Sequence, residues 1–179
     1  FREKERMRMS HLKIKSMDNP PALKGVSFIK TTINDSTICG EISFQAHKHR
    51  LHIECYDVYS SVEKRTEFAN DLREKKHGQT IDEACLLMKM NEKYIGLIEV
   101  VLVKNFNIDM GWIMDVALLP DYQGMGLGKH LIQKSIRKIY ECGYSAVGLG
   151  VTLSNKNAHQ LYKSLGFEDY EYFVEIIGI

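Results

Sequence analysis

The strongest chemical signal in the sequence is a run of three alternating glycines. Gly124, Gly126 and Gly128 stand between an apolar stretch that ends at Pro120 and an amphipathic stretch that begins near Lys129. Glycines allow backbone N–H groups to converge on one point, and a helix N-terminus adds about half a positive charge there. Phosphate oxygens are the natural ligand of such a loop. A tight strand-to-helix turn without a ligand would use the same residues.

Two common phosphate motifs do not fit this loop. A P-loop requires G-x-x-x-x-G-K-[ST], but counting back from Gly128 places Gln123 at its first position and His130 at its last. The dinucleotide fingerprint requires G-x-G-x-x-G directly after a strand. Here the spacing is G-x-G-x-G, and Pro120 and Asp121 separate it from the strand. A nucleotide-binding protein with an unrelated ligand is therefore the weakest interpretation.

A second pattern, N-x-x-A-x-x-L-Y-x-x-x-G-F, runs from Asn155 to Phe167. Together with the Q-x-x-G-x-G run that begins at Gln123, it resembles the acetyl-CoA site of the GNAT family of acetyltransferases. The resemblance covers about residues 84–167. It implies a mixed α/β fold: a central, mostly antiparallel sheet with helices on both faces, and a splayed strand pair that holds the cofactor.

The resemblance also implies which residues bind acetyl-CoA or CoA. Pantetheine would pair with the backbone at the end of the strand 112–118, and the pyrophosphate would rest on the N–H groups of residues 124–129. Asn155 would hydrogen-bond the pantetheine arm, cap its own helix, or do both. Lys129 is either a phosphate partner or a solvated surface group. The implied cofactor-binding residues are Val116, Ala117, Leu118, Gln123, Gly124, Met125, Gly126, Leu127, Gly128, Lys129, Asn155 and Tyr162.

Acyl transfer from a thioester to an amine requires a polarised carbonyl, a neutral amine and a proton for the departing thiolate. By resemblance, a backbone N–H near Leu118 would polarise the carbonyl, and Tyr162 would be the general acid. The alternative for Tyr162 is a packing residue on the apolar side of its helix. These roles imply transfer of an acetyl group to the primary amine of a small-molecule or peptide acceptor.

The general base is open. Some family members carry a glutamate on the strand before the motif asparagine, and the matching position here is Gly150, which has no side chain. Asp115 and Glu99 are the candidates, and a water chain is another route for the proton. A carboxylate within an apolar strand, such as Glu99, is more often paired or solvent-facing than catalytic. The missing glutamate also keeps an alternative open: a catalytically inactive CoA-binding sensor or interaction module.

A dense His/Cys stretch, with His47, His49, His52 and Cys55, could supply metal ligands if it were a strand. No further acidic or cysteine partner follows at ligand spacing, so we predict no metal. The four cysteines of the chain show no C-x-x-C pair, and reduced, mostly buried thiols are the expected state.

Composition bounds the function further. The chain has 179 residues, 44% of them hydrophobic and 26% charged, with a net charge of +1, which is typical of one globular domain. No strong field attracts nucleic acid or a membrane surface. The longest apolar run, residues 95–103, is about half a membrane span, and no signal-peptide pattern opens the chain. We expect a cytoplasmic protein.

The chain must supply elements that position these motifs. We expect residues 1–20 to be a basic lead-in or cloning remnant outside the fold, and residues 21–179 to form a single acetyltransferase domain. Patterns of apolar residues and turn signals predict strands at 26–33, 37–44, 50–55, 84–90, 94–103, 112–118, 146–151 and 171–177, and helices from Ser60 to about His77, from 129 to 142, and from about 154 to 165.

Family members end with two strands after the position of Phe167, whereas about twelve residues remain here. Either one strand is missing, or an N-terminal segment or a partner chain supplies it. The last alternative would make the protein a homodimer.

Overall fold

The computed structural model describes residues 2–14, 20–50 and 60–177. Within these residues, seven strands form one sheet in the order β2-β3-β4-β5-β6-β1-β7, in which β5 and β6 are parallel and the other neighbours are antiparallel. The strands are β1 (Arg2–His11), β2 (Val26–Lys30), β3 (Leu86–Met90), β4 (Lys93–Asn105), β5 (Ile108–Leu118), β6 (Val147–Thr152) and β7 (Glu168–Ile177). The predicted mixed, mostly antiparallel sheet is confirmed.

Helices cover both faces of this sheet. Helices α1 (Ser36–His47) and α2 (Val62–Arg73) pack on one face, where Leu97 of β4 points toward them. Helices α3 (Leu127–Glu141) and α4 (Lys156–Ser164) pack on the other face, where the next strand residue, Ile98, belongs to the larger core. The alternation of adjacent apolar residues along β4 thus builds two cores. None of the described helices is long and apolar enough to cross a membrane.

The predicted elements of the second half are confirmed: the strands 84–90, 94–103, 112–118, 146–151 and 171–177 correspond to β3 to β7, and the two predicted helices correspond to α3 and α4. The helix expected from Ser60 begins at Val62. Ser61 is its N-cap and accepts a hydrogen bond from the Lys64 backbone N–H, 3.2 Å away. It ends at Arg73 rather than near His77.

The expectation that residues 1–20 lie outside the fold is wrong for β1. This strand lies between β6 and β7 and is antiparallel to both. Its charged residues alternate with Met7 and Met9, and Met9 is fully buried in the larger core. Because the segment is rich in basic residues, its short alternation of charged and apolar residues was not recognised as a strand pattern. An N-terminal segment therefore supplies the strand that the C-terminal stretch lacks.

The strand predicted at 37–44 is also wrong, because these residues form α1. The buried Cys39, Ile42, Ser43 and Ala46 recur at helical rather than alternating spacing. Gly40 packs so closely on α2 that a Cβ there would lie 2.6 Å from the Thr66 backbone nitrogen. The helix–helix contact thus outweighs the strand preference of the β-branched residues in this segment. The strand predicted at 50–55 falls almost entirely outside the described residues.

Candidate active site

A wedge opens between β5 and β6. The two strands pair only from Gly111 opposite Val147 to Ile113 opposite Leu149. At that point a β-bulge interrupts the pairing of β5 with β4: Val100 lies opposite Ile113, while Glu99 lies opposite Asp115. The bulge bends β5 and changes its direction. Beyond it, within the described chain, residues 116–118 pair with β4 but with no strand on the β6 side.

A cavity of about 580 Å³ fills the outer part of the wedge. The end of β5, the glycine loop, α4 and the C-terminal end of α1 line it. Its lining includes most of the predicted cofactor-binding residues: Val116, Ala117, Leu118, Gln123, Gly124, Gly126, Gly128, Lys129, Asn155 and Tyr162. Met125 and Leu127 do not line it: Met125 is 61% exposed, and Leu127 is buried in the larger core.

Local backbone geometry shapes the glycine loop. Gly124 and Gly126 have φ angles of +76° and +77°, a left-handed conformation that glycine adopts without strain. Gly126 is also the N-cap of α3 and offers no side chain to its first-turn N–H groups. The Gln123 side chain donates to the Leu118 carbonyl oxygen at 2.9 Å, which ties the loop to the end of β5. The loop thus holds a helix N-terminus open toward the cavity.

A smaller cavity, of about 100 Å³, lies deeper between β5, β6 and β1. Arg6, Asp115, Gly150 and Thr152 are among the residues that line it. Four residues line both cavities: His47, Val116, Asn155 and Tyr162. The two cavities therefore meet, and the cleft runs from the glycine loop to the Asp115 carboxylate.

Asp115 stands at the centre of a buried polar network. Its Oδ2 accepts hydrogen bonds from the Arg65 guanidinium and, at 2.6 Å, from the Ser43 hydroxyl. His47 Nε2 lies 3.2 Å from its Oδ1. Burial opposes ionisation, but the nearby Arg65 charge and the hydrogen bonds outweigh it and hold the pKa of Asp115 well below its ordinary range.

Comparison with known proteins agrees with this geometry. Residues 46–167 match the model of the acetyltransferase (GNAT) family. The chain belongs to the GNAT family. It is 27% identical, over 108 residues, to the [ribosomal protein bS18]-alanine N-acetyltransferase of Escherichia coli, a match that covers 56% of this chain and 73% of the relative.

Solved GNAT structures share the fold. A GCN5-related N-acetyltransferase from Sphaerobacter thermophilus superposes with a TM-score of 0.70 at 18% identity, covering 96% of this chain and 50% of that chain. The PaiA N-acetyltransferase from Thermoplasma acidophilum, solved in complex with coenzyme A, superposes with a TM-score of 0.61 at 20% identity, covering 80% and 89% of the two chains. Fold neighbours of this GNAT protein thus bind coenzyme A.

Two of the residues that the GNAT resemblance singled out lie where the cavities meet. Tyr162 is 8% exposed, and its ring centroid is 5.8 Å from that of Phe167. Asn155 caps α4, since its side-chain oxygen accepts from the Ala158 backbone N–H at 3.3 Å. Asn155 also lines both cavities, so it caps its own helix and faces the cleft.

The two carboxylates that were candidates for the base have different surroundings. Asp115 lines the smaller cavity. Glu99 lines neither cavity; it is buried, and its Oε1 is 2.5 Å from Arg73 Nη2. Burial raises the pKa of Glu99, although the Arg73 charge partly opposes this. The structure therefore does not bring Glu99 to the cleft.

His47 is the site residue that sequence reasoning missed. It entered the sequence analysis only as a metal ligand, yet it lies at the end of α1, beside Asp115 and in both cavities. In the parts of the chain that the structure describes, no group of three His, Cys, Asp or Glu residues could hold a metal ion. His52 and Cys55 lie outside those parts. Recognition of α1 as a helix would have placed Ser43 and His47 one turn apart, facing the same way.

The three cysteines that the structure describes line neither cavity. Cys39 and Cys85 are buried, and burial raises the pKa of both. Cys142 is exposed at the end of α3. Cys55 lies outside the described residues.

Proposed function

We propose that this GNAT protein transfers an acetyl group from acetyl-CoA to the primary amine of an acceptor. The observation that carries the proposal is the continuous cleft: its outer part has a phosphate-type loop, its inner part has a polar network, and Tyr162 stands where they meet. The bS18-alanine N-acetyltransferase relative is named for transfer to an alanine nitrogen, which supports the same reaction class.

The outer cavity suits a long phosphorylated cofactor. The N–H groups at the start of α3 and the exposed Lys129 would bind the phosphates, and the unpaired side of residues 116–118 would hydrogen-bond the pantetheine amides. When bound, acetyl-CoA supplies the thioester acyl group. The backbone of β5 near Leu118 would then polarise the carbonyl oxygen.

We assign the general base to His47 rather than to Asp115. A carboxylate whose pKa is held far below its ordinary range is too weak a base to take a proton from an amine. An ionised carboxylate only accepts hydrogen bonds, so His47 Nε2 must carry the hydrogen that faces Oδ1. As a base, the imidazole would take the proton at its other nitrogen, Nδ1. Asp115 fixes the tautomer, and Arg65 and Ser43 fix Asp115.

The residues would divide the proton transfers of the reaction. The acceptor nitrogen forms a bond to the carbonyl carbon, and the C–S bond breaks. His47 takes the proton that the nitrogen loses, directly or through water, while the Tyr162 hydroxyl gives a proton to the departing sulfur. The products are the N-acetylated acceptor and free CoA.

Release of the CoA thiol tests the proposal. The protein is incubated with acetyl-CoA and a panel of amines and peptides, and both the thiol and the acetylated product are measured. A thiol reagent also modifies the exposed Cys142, so the assay uses a Cys142→Ser background with a protein-only blank. Tight CoA binding without transfer to any amine would favour the sensor alternative.

Tyr162→Phe separates chemistry from packing. The ring stays on the apolar side of α4 but the hydroxyl is lost, so we expect turnover to fall by roughly ten- to a thousandfold with CoA affinity nearly unchanged. Unchanged turnover per bound cofactor would make Tyr162 a packing residue and leave water as the proton donor.

The phosphate assignment has a matched control within α3. A Cβ added at Gly126 or at Gly143 meets no atom within 4 Å, and both residues have positive φ, +77° and +92°. Gly126→Ala and Gly143→Ala should therefore strain the backbone similarly at opposite ends of the helix. Only Gly126→Ala should weaken CoA binding in calorimetry. Equal affinities for CoA would remove the glycine loop from the site.

A further inference from the structure

The N-terminal strand brings an arginine into the acceptor side of the cleft. Arg6 of β1 lies opposite Thr152 of β6, and both line the smaller cavity. The Arg6 guanidinium crosses over Gly150: a Cβ at Gly150 would lie 2.8 Å from Arg6 Nη2. The absent side chain at position 150 is what makes room for this guanidinium.

The charges around the smaller cavity leave it suited to an anion. Its one carboxylate among the described lining residues, Asp115, already faces the Arg65 guanidinium and His47. Arg6 also forms an ion pair with Glu175 of β7, 3.9 Å away, but a guanidinium has five N–H donors and can bind a further anion while it keeps such a partner. A guanidinium is positively charged at any ordinary pH, and its planar fork matches a carboxylate.

We propose that Arg6 binds a carboxylate of the acceptor, so that the acceptor is an amine that also carries a carboxylate close to its reactive nitrogen. The inference rests on the proposed function, since the amine must meet His47 and Tyr162 in the same cleft. The cavity volume of about 100 Å³ admits a small group, of the size of a free amino acid or of the first residue of a peptide.

Matched acceptors test the substrate class. Alanine is compared with alaninamide, which keeps the amine and removes the negative charge. A peptide that begins with aspartate is compared with one that begins with asparagine, and kcat/KM is measured for each at one pH. We expect the carboxylate member of at least one pair to be preferred by roughly ten- to a hundredfold, the effect of a charged hydrogen-bonded pair. The pair that discriminates identifies the source of the carboxylate.

Variants of β1 and β6 assign the preference to Arg6. Arg6→Gln should raise KM for the carboxylate acceptor by roughly ten- to a hundredfold and leave its amide partner unchanged. Gly150→Ala keeps the charge but displaces the flexible guanidinium, and should shift KM in the same direction. Arg8→Gln is the control, because Arg8 lies on the same face of β1 but pairs with Glu171 at the surface. It should change neither KM.

The outcomes separate this inference from the proposed function. Acetylation of neutral and carboxylate acceptors with equal kcat/KM, unaffected by Arg6→Gln, overturns the carboxylate site and keeps the acetyltransferase. If no amine is acetylated, binding of alanine to the CoA-saturated protein is measured by calorimetry. Binding that Arg6→Gln abolishes and Arg8→Gln preserves supports the site; no binding of alanine or the aspartate peptide overturns it.

Discussion

Two buried carboxylates stand side by side in this protein and differ in what surrounds them. Glu99 of β4 and Asp115 of β5 face each other in the strand register, and each is paired with an arginine of α2, Arg73 and Arg65 respectively. Asp115 also meets Ser43 and His47 of α1 and opens onto the cleft. Glu99 is sealed away from both cavities.

Both acids are paired with an arginine, but they differ in their other hydrogen-bond donors, and the pKa shifts run in opposite directions. Several donors hold the pKa of Asp115 low, so it is a fixed negative charge that can orient a histidine. For Glu99, burial outweighs the single arginine and raises the pKa. We infer that the Arg65–Asp115 ion pair supports the candidate active site, whereas the Arg73–Glu99 ion pair supports the packing of α2 on the sheet.

Asp115→Asn should have the largest effect. The change leaves the Arg65 charge buried without its counter-charge, which costs about 3–5 kcal/mol of unfolding free energy, and it frees the tautomer of His47, which lowers turnover by roughly a hundredfold or more. Urea unfolding and CoA release by the folded fraction measure the two effects. Normal turnover in the folded variant would contradict the orienting role of Asp115.

Glu99→Gln is the matched change on the neighbouring strand. Gln resembles the protonated carboxyl that burial favours at this position, so the free energy of unfolding should change by no more than about 1 kcal/mol, far less than at Asp115. Turnover of the folded variant should stay at the parent value, because Glu99 touches neither cavity. A loss of turnover as large as that of Asp115→Asn would return Glu99 to the list of candidate bases.

The pH dependence of stability should have opposite signs at the two acids. The folded pKa of Asp115 is lowered, so its contribution is complete above the ordinary value of about 3.9 and is lost as the pH falls below it. The folded pKa of Glu99 is raised, so the folded state gains stability as the pH falls through that pKa toward the ordinary value. Urea midpoints of the parent, Asp115→Asn and Glu99→Gln across acid pH test both signs. Parallel curves would contradict the assignment.

Small effects should also come from the hydroxyls beside each arginine. Ser43 accepts from Arg65 Nε at 2.8 Å, and Thr31 accepts from Arg73 Nη2 at 2.5 Å. Ser43→Ala and Thr31→Ala should each lower the unfolding free energy by about 1–2 kcal/mol, because a buried donor loses its acceptor. Only Ser43→Ala should also lower turnover, measurably but far less than Asp115→Asn. Equal turnover in the two variants would separate Ser43 from the site.

The glycine-loop half of the cleft could be predicted from the sequence. Converging N–H groups need a left-handed backbone at fixed positions, which glycine adopts without strain. The alternating glycines before α3 can therefore be recognised in the sequence without knowledge of any tertiary contact. The same holds for the elements from β3 to α4, where apolar periodicity and turn residues agree along the chain. In this part of the chain, the local sequence pattern favours one secondary structure for each segment.

The inner half of the cleft, around Asp115, forms only in the packed fold. His47 and Asp115 are separated by 68 residues, and Arg65 and Asp115 by 50, so no spacing in the sequence connects them. Packing against α2 made 37–44 a helix, which placed His47 at the cleft, and pairing with β6 and β7 placed Arg6 over Gly150. Backbone conformation is set by neighbours in the chain, whereas a network of side chains exists only once distant elements have packed.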